Sequence, residues 1–324
     1  MIVTVVSMPE GTITRTDVSE ARERLAVDHF LLVDVELPAQ APARETPLAD
    51  QLGLDAADLD WFGRPGEPAR AEFLGDRASF VVPVVHEDDI AHLHVVVTER
   101  FLATAHRGQA GLAKSFAAVL RHERPDDTVA VLFLLLQEAL TTFRRAAVRA
   151  LLQTEELEDD MFEYRRPEQV YRLARLRRRS ALLHHALLPY LQVTDEIITR
   201  RMMSSTFPEE RQRRAQEFQA AGRLVLADIE SLQDATRRAF SSYSSLVAGE
   251  QNGVINRLAI VSVIFLPLSF LTGFFGMNFT FLTNRLETKD EFWLLAVGLQ
   301  AVALIGSAYL LHRTRIWRRL RDDD

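Results

Sequence analysis

LAIVSVIFLPLSFLTGFFGMNF, residues 258–279, is the stretch that decides the fold, because residues 258–275 carry no charge. A helix that spans a bilayer needs about 20 mostly apolar residues, within a range of about 17–25. A second uncharged run, FWLLAVGLQAVALIGSAYLL, occupies residues 292–311. Core helices of this length usually show a polar face, so buried core helices are the less favoured interpretation. The two runs therefore predict a pair of membrane spans near the C-terminus.

The charges that flank the two runs predict their orientation. The tail, residues 312–324, is rich in arginine: Arg313, Arg315, Arg318, Arg319 and Arg321. The connector, residues 277–291, balances its basic residues with acidic ones. Because basic residues favour the cytoplasmic side, we expect both termini in the cytoplasm and the connector outside. This arrangement predicts a multi-pass protein of the cell's inner (plasma) membrane, in contact with the lipid bilayer.

The composition of the whole chain limits its function. Of its 324 residues, 48% are hydrophobic and 26% charged, so any membrane part is a minority. The absence of cysteine excludes disulfides, thiolate metal sites and cysteine nucleophiles. The net charge of -7, without a basic domain, argues against a nucleic-acid partner. No nucleophile–base pair or phosphate-binding loop stands out, and residues 1–10 do not resemble a signal peptide. We therefore expect neither an enzyme nor an organic cofactor.

The chain divides into four parts. Residues 1–125 predict a cytoplasmic α/β domain, with β-rich runs IVTVV, FLLVDVEL, ASFVVPVV and LHVVVTERFLATA and helical patterns VSEARERLA and PLADQLGLDAADLDWF. Residues 126–253 predict a helical and stalk region, 254–311 a two-helix pore domain and 312–324 a basic tail. Apolar stripes mark two of the helices: Leu173, Leu176, Ser180, Leu183 and Leu187 on one, and Val225, Ile229, Leu232, Thr236, Ala239, Tyr243 and Leu246 on the other. No proline interrupts residues 209–266, so one stalk helix could continue into the first span.

One face of the first span mixes small, polar and apolar residues without a charge. Ser262 and Ser269 lie seven residues apart and so share a face. Extending it by helical spacing gives the candidate pore-lining set: Asn252, Ile255, Leu258, Ser262, Leu266, Ser269 and Gly273. In an oligomer this stripe could line a narrow pore, with Ile255 and Leu266 as dewetting constrictions. Helix–helix contact through small residues explains the same pattern, and the residues alone leave both hypotheses open.

From Asn252 to Phe279 the sequence resembles, without a gap, the CorA family of magnesium transporters. The matching features are Asn252, the FLPLSF around Pro267, Gly273 and the triplet Gly276-Met277-Asn278, followed by a second span and a basic tail. The resemblance implies an α+β membrane protein that assembles as a funnel-shaped homopentamer. Its N-terminal cytoplasmic α/β domain would lead through a long stalk helix into the first of two C-terminal transmembrane helices, and that first span would line the pore.

The resemblance also implies that Gly276, Met277 and Asn278 form the selectivity filter. Ser269 stands where the family usually has threonine and keeps a hydroxyl, whereas Phe275 replaces the usual tyrosine and loses one. Mg²⁺ dehydrates reluctantly and prefers oxygen ligands, so neutral oxygens of Asn278 and backbone carbonyls could hold a hydrated ion without trapping it. A divalent ion gains about 4.6 kcal/mol per 100 mV of membrane potential, twice the value of about 2.3 for one charge. No further energy source is required for uptake.

Acidic residues of the N-terminal region are candidates for a regulatory metal site. The family carries carboxylate sites between neighbouring cytoplasmic domains, which implies Mg²⁺ as regulator as well as substrate. In HEDDIAHLH, residues 86–94, the nearest carboxylates are Asp88 and Asp89, and Glu217 or Asp228 could be the opposing ligand. His92 and His94 would share one side of a strand, as metal ligands can. The alternative interpretation is a polar turn followed by an exposed strand.

Three functions fit these features. The first is a channel that takes up divalent cations, Mg²⁺ above all and also Co²⁺ or Ni²⁺, driven by the membrane potential. The second is a zinc transporter of the related ZntB type, with or without proton coupling, because a filter for hydrated ions discriminates poorly by ligand softness. The third is a membrane-anchored scaffold that transports nothing.

Overall fold

The computed structural model describes residues 1–8, 10–38, 47–54, 59–108, 112–204, 207–277, 290 and 292–313. The chain forms two compact units, Met1–Phe240 and Ser241–Asp324. The division between them falls within one long helix, Glu209–Phe275. We describe each unit by itself.

A seven-stranded sheet organises the first unit, with strands in the order β2-β1-β3-β7-β6-β5-β4. The central pair β3 and β7 is parallel, and every other neighbouring pair is antiparallel. The strands are β1 Ile2–Ser7, β2 Thr12–Thr16, β3 Leu31–Leu37, β4 Arg70–Leu74, β5 Arg77–His86, β6 Asp89–Val97 and β7 Phe101–Arg107.

The predicted β-rich runs correspond to the interior strands. IVTVV, FLLVDVEL and ASFVVPVV lie in β1, β3 and β5, and the long run LHVVVTERFLATA is broken by a turn into parts of β6 and β7. β2 and β4 were not predicted. They are the two edges of the sheet, and their residues are exposed or half-buried. Edge strands need no continuous apolar face, so they carry little of the signal by which strands are recognised.

Helices cover the sheet on both faces. On one face lie α1 (Val18–Val27) and α2 (Leu48–Gln51), and the buried ring of Trp61 completes that core. α1 begins where the Asp17 carboxylate accepts a hydrogen bond from the Glu20 N–H at 2.8 Å, a standard N-cap. Of the helix predicted from PLADQLGLDAADLDWF, the described residues are helical over Leu48–Gln51 and form turns at 52–53 and 60–63, so the prediction is too long at its C-terminal end.

Long helices follow the sheet in sequence. They are α3 (Leu112–Glu123), α4 (Thr128–Glu163), α5 (Pro167–Met202) and α6 (Glu209–Phe275). The Asp127 carboxylate caps α4 by accepting from the Ala130 N–H at 2.6 Å. Pro167 opens α5 and Pro208 immediately precedes α6, whereas Pro189 lies inside α5.

The stripes predicted on the helices are core faces. The five stripe residues of α5 are buried, and so are the first five of α6, from Val225 to Ala239. α5 and α6 approach closely at Gly222, where a Cβ atom would lie 2.7 Å from Leu191 Cδ2. The ring centroids of Tyr190 and Phe218 lie 6.3 Å apart at the same contact. Gly222 thus allows a helix spacing that a side chain would widen.

The second unit contains the rest of α6 and a second helical segment. After the connector, a π-helical segment, Phe292–Gly298, leads directly into α7, Leu299–Arg313. Together they cover the second run that was predicted to span the membrane. The side-chain amide of Gln300 on α7 donates to the Thr272 hydroxyl on α6 at 3.2 Å. This hydrogen bond ties the two helices of the unit together.

Candidate functional site

The C-terminal part of α6 has the length and composition of a membrane span. Within the described residues, α6 is the helix that meets both conditions, with an 18-residue window of mean hydropathy 2.3 in which no residue is buried. The helix begins at Glu209 and runs without a break to Phe275. The predicted continuation of the stalk helix into the apolar segment is therefore confirmed.

The seven predicted pore-lining residues are all exposed in the single chain, from Asn252 to Gly273. Six of them, from Ile255 onward, follow one another at spacings of three or four and so share a face, and Asn252 lies at its edge. The half-buried positions cluster on the opposite face: Ile260, Val263, Ile264, Pro267, Leu268 and Leu271. The stripe therefore points away from the side of α6 that its own unit partly covers, which leaves it available to other molecules.

Two hydroxyl groups within the apolar segment donate hydrogen bonds to their own helix. The Ser262 hydroxyl donates to the Leu258 carbonyl at 2.9 Å, and the Thr272 hydroxyl donates to the Leu268 carbonyl at 2.8 Å. Because its proton is used in this way, the Ser262 oxygen presents lone pairs outward. An oxygen that accepts but does not donate suits the hydration shell of a cation, whose water protons point away from the ion.

α6 ends within the predicted filter triplet. The Gly276 N–H donates to the Thr272 carbonyl at 2.9 Å, and the Met277 N–H donates to Phe274 at 3.3 Å. A Cβ atom on Gly276 would lie 3.0 Å from the Thr272 carbonyl oxygen, so glycine fits this close turn best. Asn278, the residue predicted to supply the filter amide, lies outside the described residues.

The four regulatory candidates do not come together in the single chain. Asp88 forms an ion pair with Arg179 of α5, and Glu217 lies 3.9 Å from a guanidinium nitrogen one turn earlier on its own helix. An Asp228 oxygen lies 3.4 Å from Arg144 Nε, yet no donor in the described structure gives that oxygen a hydrogen bond. We treat this last contact as a weak ion pair, since the distance satisfies charge attraction but not hydrogen-bond geometry.

No group of three or more histidine or acidic side chains could hold a metal ion within the described part of one chain. Asp89, the fourth candidate, is exposed at the start of β6. Carboxylates from neighbouring subunits could still meet one another, as the family resemblance implies. The proposed regulatory role of Asp88, Asp89, Glu217 and Asp228 therefore stays a prediction.

The two histidines of β6 differ in their surroundings. The sequence HEDDIAHLH forms a turn at residues 87–88 and then β6, whose second half is buried. His92 is exposed, but His94 is buried and its Nδ1 accepts a hydrogen bond from the Gly63 N–H at 3.0 Å. Burial, followed by the neighbouring His92, lowers the pKa of His94 to about 4. His94 is thus a neutral core residue, and the predicted exposed strand is wrong for this half of β6.

A buried polar network in the centre of the sheet was not predicted. Thr104 donates to Asp34 Oδ1 at 2.5 Å, and His106 Nε2 lies 3.4 Å from Asp34 Oδ2. All three residues are at most 7% exposed. Burial opposes a charge on His106, but the Asp34 carboxylate and the Gly108 carbonyl outweigh it and raise the pKa. The available signal was an aspartate inside the otherwise apolar strand FLLVDVEL.

The fold and the stripe define a class of protein: an α/β unit joined by one long helix to a short membrane-type unit with a neutral, exposed stripe. The family model described as "CorA-like Mg2+ transporter protein" matches residues 28–313. The chain therefore belongs to the CorA family. Because this family is one of transporters, the expectation that the chain is not an enzyme is confirmed.

Curated relatives match parts of the chain. A putative metal ion transporter YfjQ of Bacillus subtilis is 38% identical over 78 residues, which is 24% of each protein. The zinc transport protein ZntB of Yersinia enterocolitica is 29% identical over 161 residues, 49% of this chain and 47% of the relative. The cobalt/magnesium transport protein CorA of Thermotoga maritima is 26% identical over 153 residues, 46% of this chain and 42% of the relative. The chain thus matches less than half the length of these relatives.

Solved structures match nearly the whole chain. The CorA magnesium transporter of Methanocaldococcus jannaschii has a TM-score of 0.75 at 18% identity and covers 96% of this chain and 97% of its own. The full-length CmaX protein has a TM-score of 0.71 at 19% identity and covers 99% and 97%. At these identities the likeness establishes the fold, and it confirms the predicted α/β region and long stalk helix.

Proposed function

We propose that this protein is a membrane transporter of divalent cations, in which the stripe on α6 lines the path of the ion. The observation that carries the proposal is the stripe itself: it is exposed, free of charge and lies on the helix that ends in Gly276 and Met277. Membership of the CorA family supports the same function. A stripe that faced its own unit would have favoured simple helix packing instead.

A pore of this kind requires several copies of the chain, and we infer a funnel-shaped homopentamer embedded in the inner membrane with both termini in the cytoplasm. Copies of α6 would surround the ion path. Asn278 would present its amide oxygen at the outer mouth, together with backbone carbonyls of Gly276 and Met277. Ile255 and Leu266, which are 61% and 71% exposed in the single chain, would form dry constrictions when the pore closes.

The chemistry of the stripe suits a hydrated ion. Its polar groups are neutral oxygens, which bind Mg²⁺ waters weakly enough for release, whereas a ring of carboxylates would hold the ion. The membrane potential supplies about 4.6 kcal/mol per 100 mV for a divalent ion, twice the single-charge value. We therefore propose Mg²⁺ as the first substrate, with Co²⁺ and Ni²⁺ as others.

Zinc is the second candidate, because ZntB of Yersinia enterocolitica matches this chain at an identity close to that of the cobalt/magnesium relative. The two are distinguished by flux into proteoliposomes that contain the full chain, measured for Mg²⁺, Co²⁺, Ni²⁺ and Zn²⁺ with and without a pH gradient. Zinc uptake that requires the gradient would favour the proton-coupled alternative. Uptake of Mg²⁺ that follows an imposed membrane potential alone would favour the channel.

The filter is tested by Asn278→Ala, which removes the amide oxygen. We expect this variant to assemble normally and to lose flux, because the hydrated ion loses its ring of acceptors. Asn284→Ala in the connector is the matched control and should transport like the wild type. Normal flux through correctly assembled Asn278→Ala would refute the filter. If the wild-type protein itself conducted no cation, the membrane-anchored scaffold would become the better explanation.

Regulation by internal Mg²⁺ is a further part of the proposal. Influx without an energy input must close as the internal ion rises, and carboxylates at subunit interfaces are a suitable sensor. In the single chain Asp88 already holds Arg179, so a cation there would have to replace an existing ion pair. Exposed Asp89 has no such competitor among the described residues, which makes it the better candidate of the two.

A further inference from the structure

A cavity of about 260 Å³ lies in the first unit, between the sheet and three long helices. Its floor is formed by residues of β4, β5 and the end of β6. Its walls come from the start of α4, the end of α5 and the start of α6. Sites for drug-sized ligands usually measure about 300–1,000 Å³, so this cavity suits a smaller organic molecule.

Most of the cavity wall is apolar. Four phenyl rings and several branched side chains form it, among them Phe73, Phe80, Leu132, Phe133, Ile198 and Phe207. Such a lining stabilises an apolar ligand by removing its surface from water. The polar groups are concentrated in a few side chains, which is the usual composition of a site that both binds and orients its ligand.

Two arginines reach the cavity, and one of them is already neutralised. Arg211 donates two hydrogen bonds to Glu99, both at 2.8 Å, and another to Asp127 at 2.7 Å. The other Asp127 oxygen accepts from the first turn of α4, whose helix dipole also compensates its negative charge. Arg211, Glu99 and Asp127 thus satisfy one another without any ligand.

Arg201 is the second arginine, and among the described residues it forms no salt bridge, although the charge of Glu99 acts on it and Asp76 also lines the cavity. Its guanidinium carbon lies 3.8 Å from the centre of the Phe73 ring. Stacking on a ring uses the flat face of the guanidinium and leaves the N–H groups at its edge available. Arg201 is half-buried, which makes a hydrogen bond to an anion stronger there than on a fully exposed surface.

We propose that this cavity binds a small apolar monocarboxylate, with its hydrocarbon body among the phenyl rings and its carboxylate on Arg201. The apolar wall favours a hydrocarbon body, and the edge of the stacked Arg201 guanidinium favours a carboxylate. A neutral apolar molecule would leave the Arg201 donors unused, and a larger anion would exceed the volume. The site lies where α5 ends and α6 begins, so the ligand would contact both helices.

The test uses the full chain in lipid nanodiscs and phenylpropanoate as the probe, with binding measured by isothermal titration calorimetry and corrected with empty nanodiscs. Phenylpropanol is the matched probe without charge. We expect phenylpropanoate to bind saturably and about tenfold more tightly than the alcohol, as the loss of a charge-assisted hydrogen bond implies. The measurement does not involve ion flux, so its result is independent of the proposed transport function.

Arg201→Gln should weaken phenylpropanoate binding about tenfold and leave the alcohol unchanged. Arg200→Gln is the matched control, because it removes the same charge from an exposed neighbour that pairs with Glu196; it should bind like the wild type. Ala78→Leu, which fills the cavity, should abolish binding of both probes. Any of three results would overturn the proposal. The two probes could bind equally well, the two arginine variants could have equal effects, or the folded wild-type protein could show no saturable binding. If Arg201→Gln did not fold, the comparison of the two probes on the wild type would decide.

Discussion

Arg211 joins the first turn of α6 to two other elements of the first unit. It holds Glu99 through two hydrogen bonds of 2.8 Å, after the end of β6, and it donates to the α4 cap Asp127 at 2.7 Å. Arg211→Met keeps the apolar stem of the side chain and removes only the guanidinium. Arg214→Met is the matched control, because Arg214 is 24% exposed against 20% for Arg211, and the ion pair it forms among the described residues lies within its own helix, with Glu210.

The expected loss of stability follows from the exposure of the partners. The Glu99 side chain is 63% exposed, so we assign its pair with Arg211 only about 0.5 kcal/mol. The Asp127 side chain is 37% exposed, and it also caps α4. We therefore assign its charge-assisted hydrogen bond with Arg211 about 1–1.5 kcal/mol. Arg211→Met should therefore lower the free energy of unfolding by about 1.5–2 kcal/mol. Arg214→Met should lower the free energy of unfolding by about 0.3–0.5 kcal/mol, the usual contribution of an ion pair one turn apart in a helix.

The assay is urea unfolding of residues 1–240, the first compact unit, followed by circular dichroism. The hydrogen bond from Arg211, supported by the charge of that arginine, outweighs the opposing effect of burial and leaves the pKa of Glu99 below its ordinary value of 4.5. The stability that the Arg211–Glu99 pair contributes is therefore present at pH values above the ordinary pKa of glutamate. It is lost as the pH falls through the lowered pKa of Glu99. Arg211→Met should lose that dependence and Arg214→Met should keep it. Equal losses of stability in the two variants at neutral pH would refute the reasoning.

Three further predictions concern the pore, the buried network and the regulatory carboxylates. Leu266→Ser should raise ion leak through the closed protein in liposomes, because a hydroxyl favours water in the constriction. The control Val263→Ser, on the half-buried face, should leave the leak unchanged. An unchanged leak in Leu266→Ser would mean that the stripe has been assigned to the wrong face of α6. The raised pKa of His106 stabilises the fold below its ordinary value of 6.5, and this contribution is lost as the pH rises through the folded pKa. Urea unfolding, measured from below pH 6.5 upward, should therefore show a loss of stability that His106→Gln lacks, and parallel pH profiles would contradict this. Asp89→Ala combined with Glu217→Ala should make flux insensitive to internal Mg²⁺, and an unaltered inhibition curve would reject this pair.

The membrane segment and the interior strands could be predicted because each requires only a local run of uncharged or apolar residues. A span must be uncharged over about 20 residues, and a buried strand must be apolar over its length. The apolar part of α6 meets the first condition, and β3 meets the second apart from Asp34 and Glu36; both elements were predicted. The edge strands β2 and β4 were missed for the converse reason, since an exposed edge residue such as Arg15 needs only a backbone partner. That partner is a property of the assembled sheet.

The candidate sites follow the same rule. The pore-lining stripe of α6 is predicted from helical spacing and stays a prediction; its residues are exposed, and the half-buried positions lie on the opposite face. The ion pair of Asp88 with Arg179 could not, because nothing in the turn HEDD identifies an arginine of α5 as its neighbour. The pairing of Asp34 with His106 depends on the parallel register of β3 and β7, which only the crossover between them sets.

The neutral character of the stripe matters more than its individual residues. A charged side chain at the centre of a bilayer costs about 2.5–3.5 kcal/mol on insertion scales, and each subunit of an oligomer would bear that cost. Serine avoids it, because Ser262 donates its proton to Leu258 and still offers lone pairs. A carboxylate in its place would also bind a divalent ion with an energy that could exceed the approximately 4.6 kcal/mol per 100 mV available to drive it onward, twice the single-charge value. With neutral oxygens, binding stays weaker than the driving force, so the potential can move the ion through. This predicts that Ser262→Asp would trap the cation and slow flux even where assembly is normal, whereas Ser262→Thr would conduct; faster flux in Ser262→Asp would show that ion capture rather than ion release limits transport.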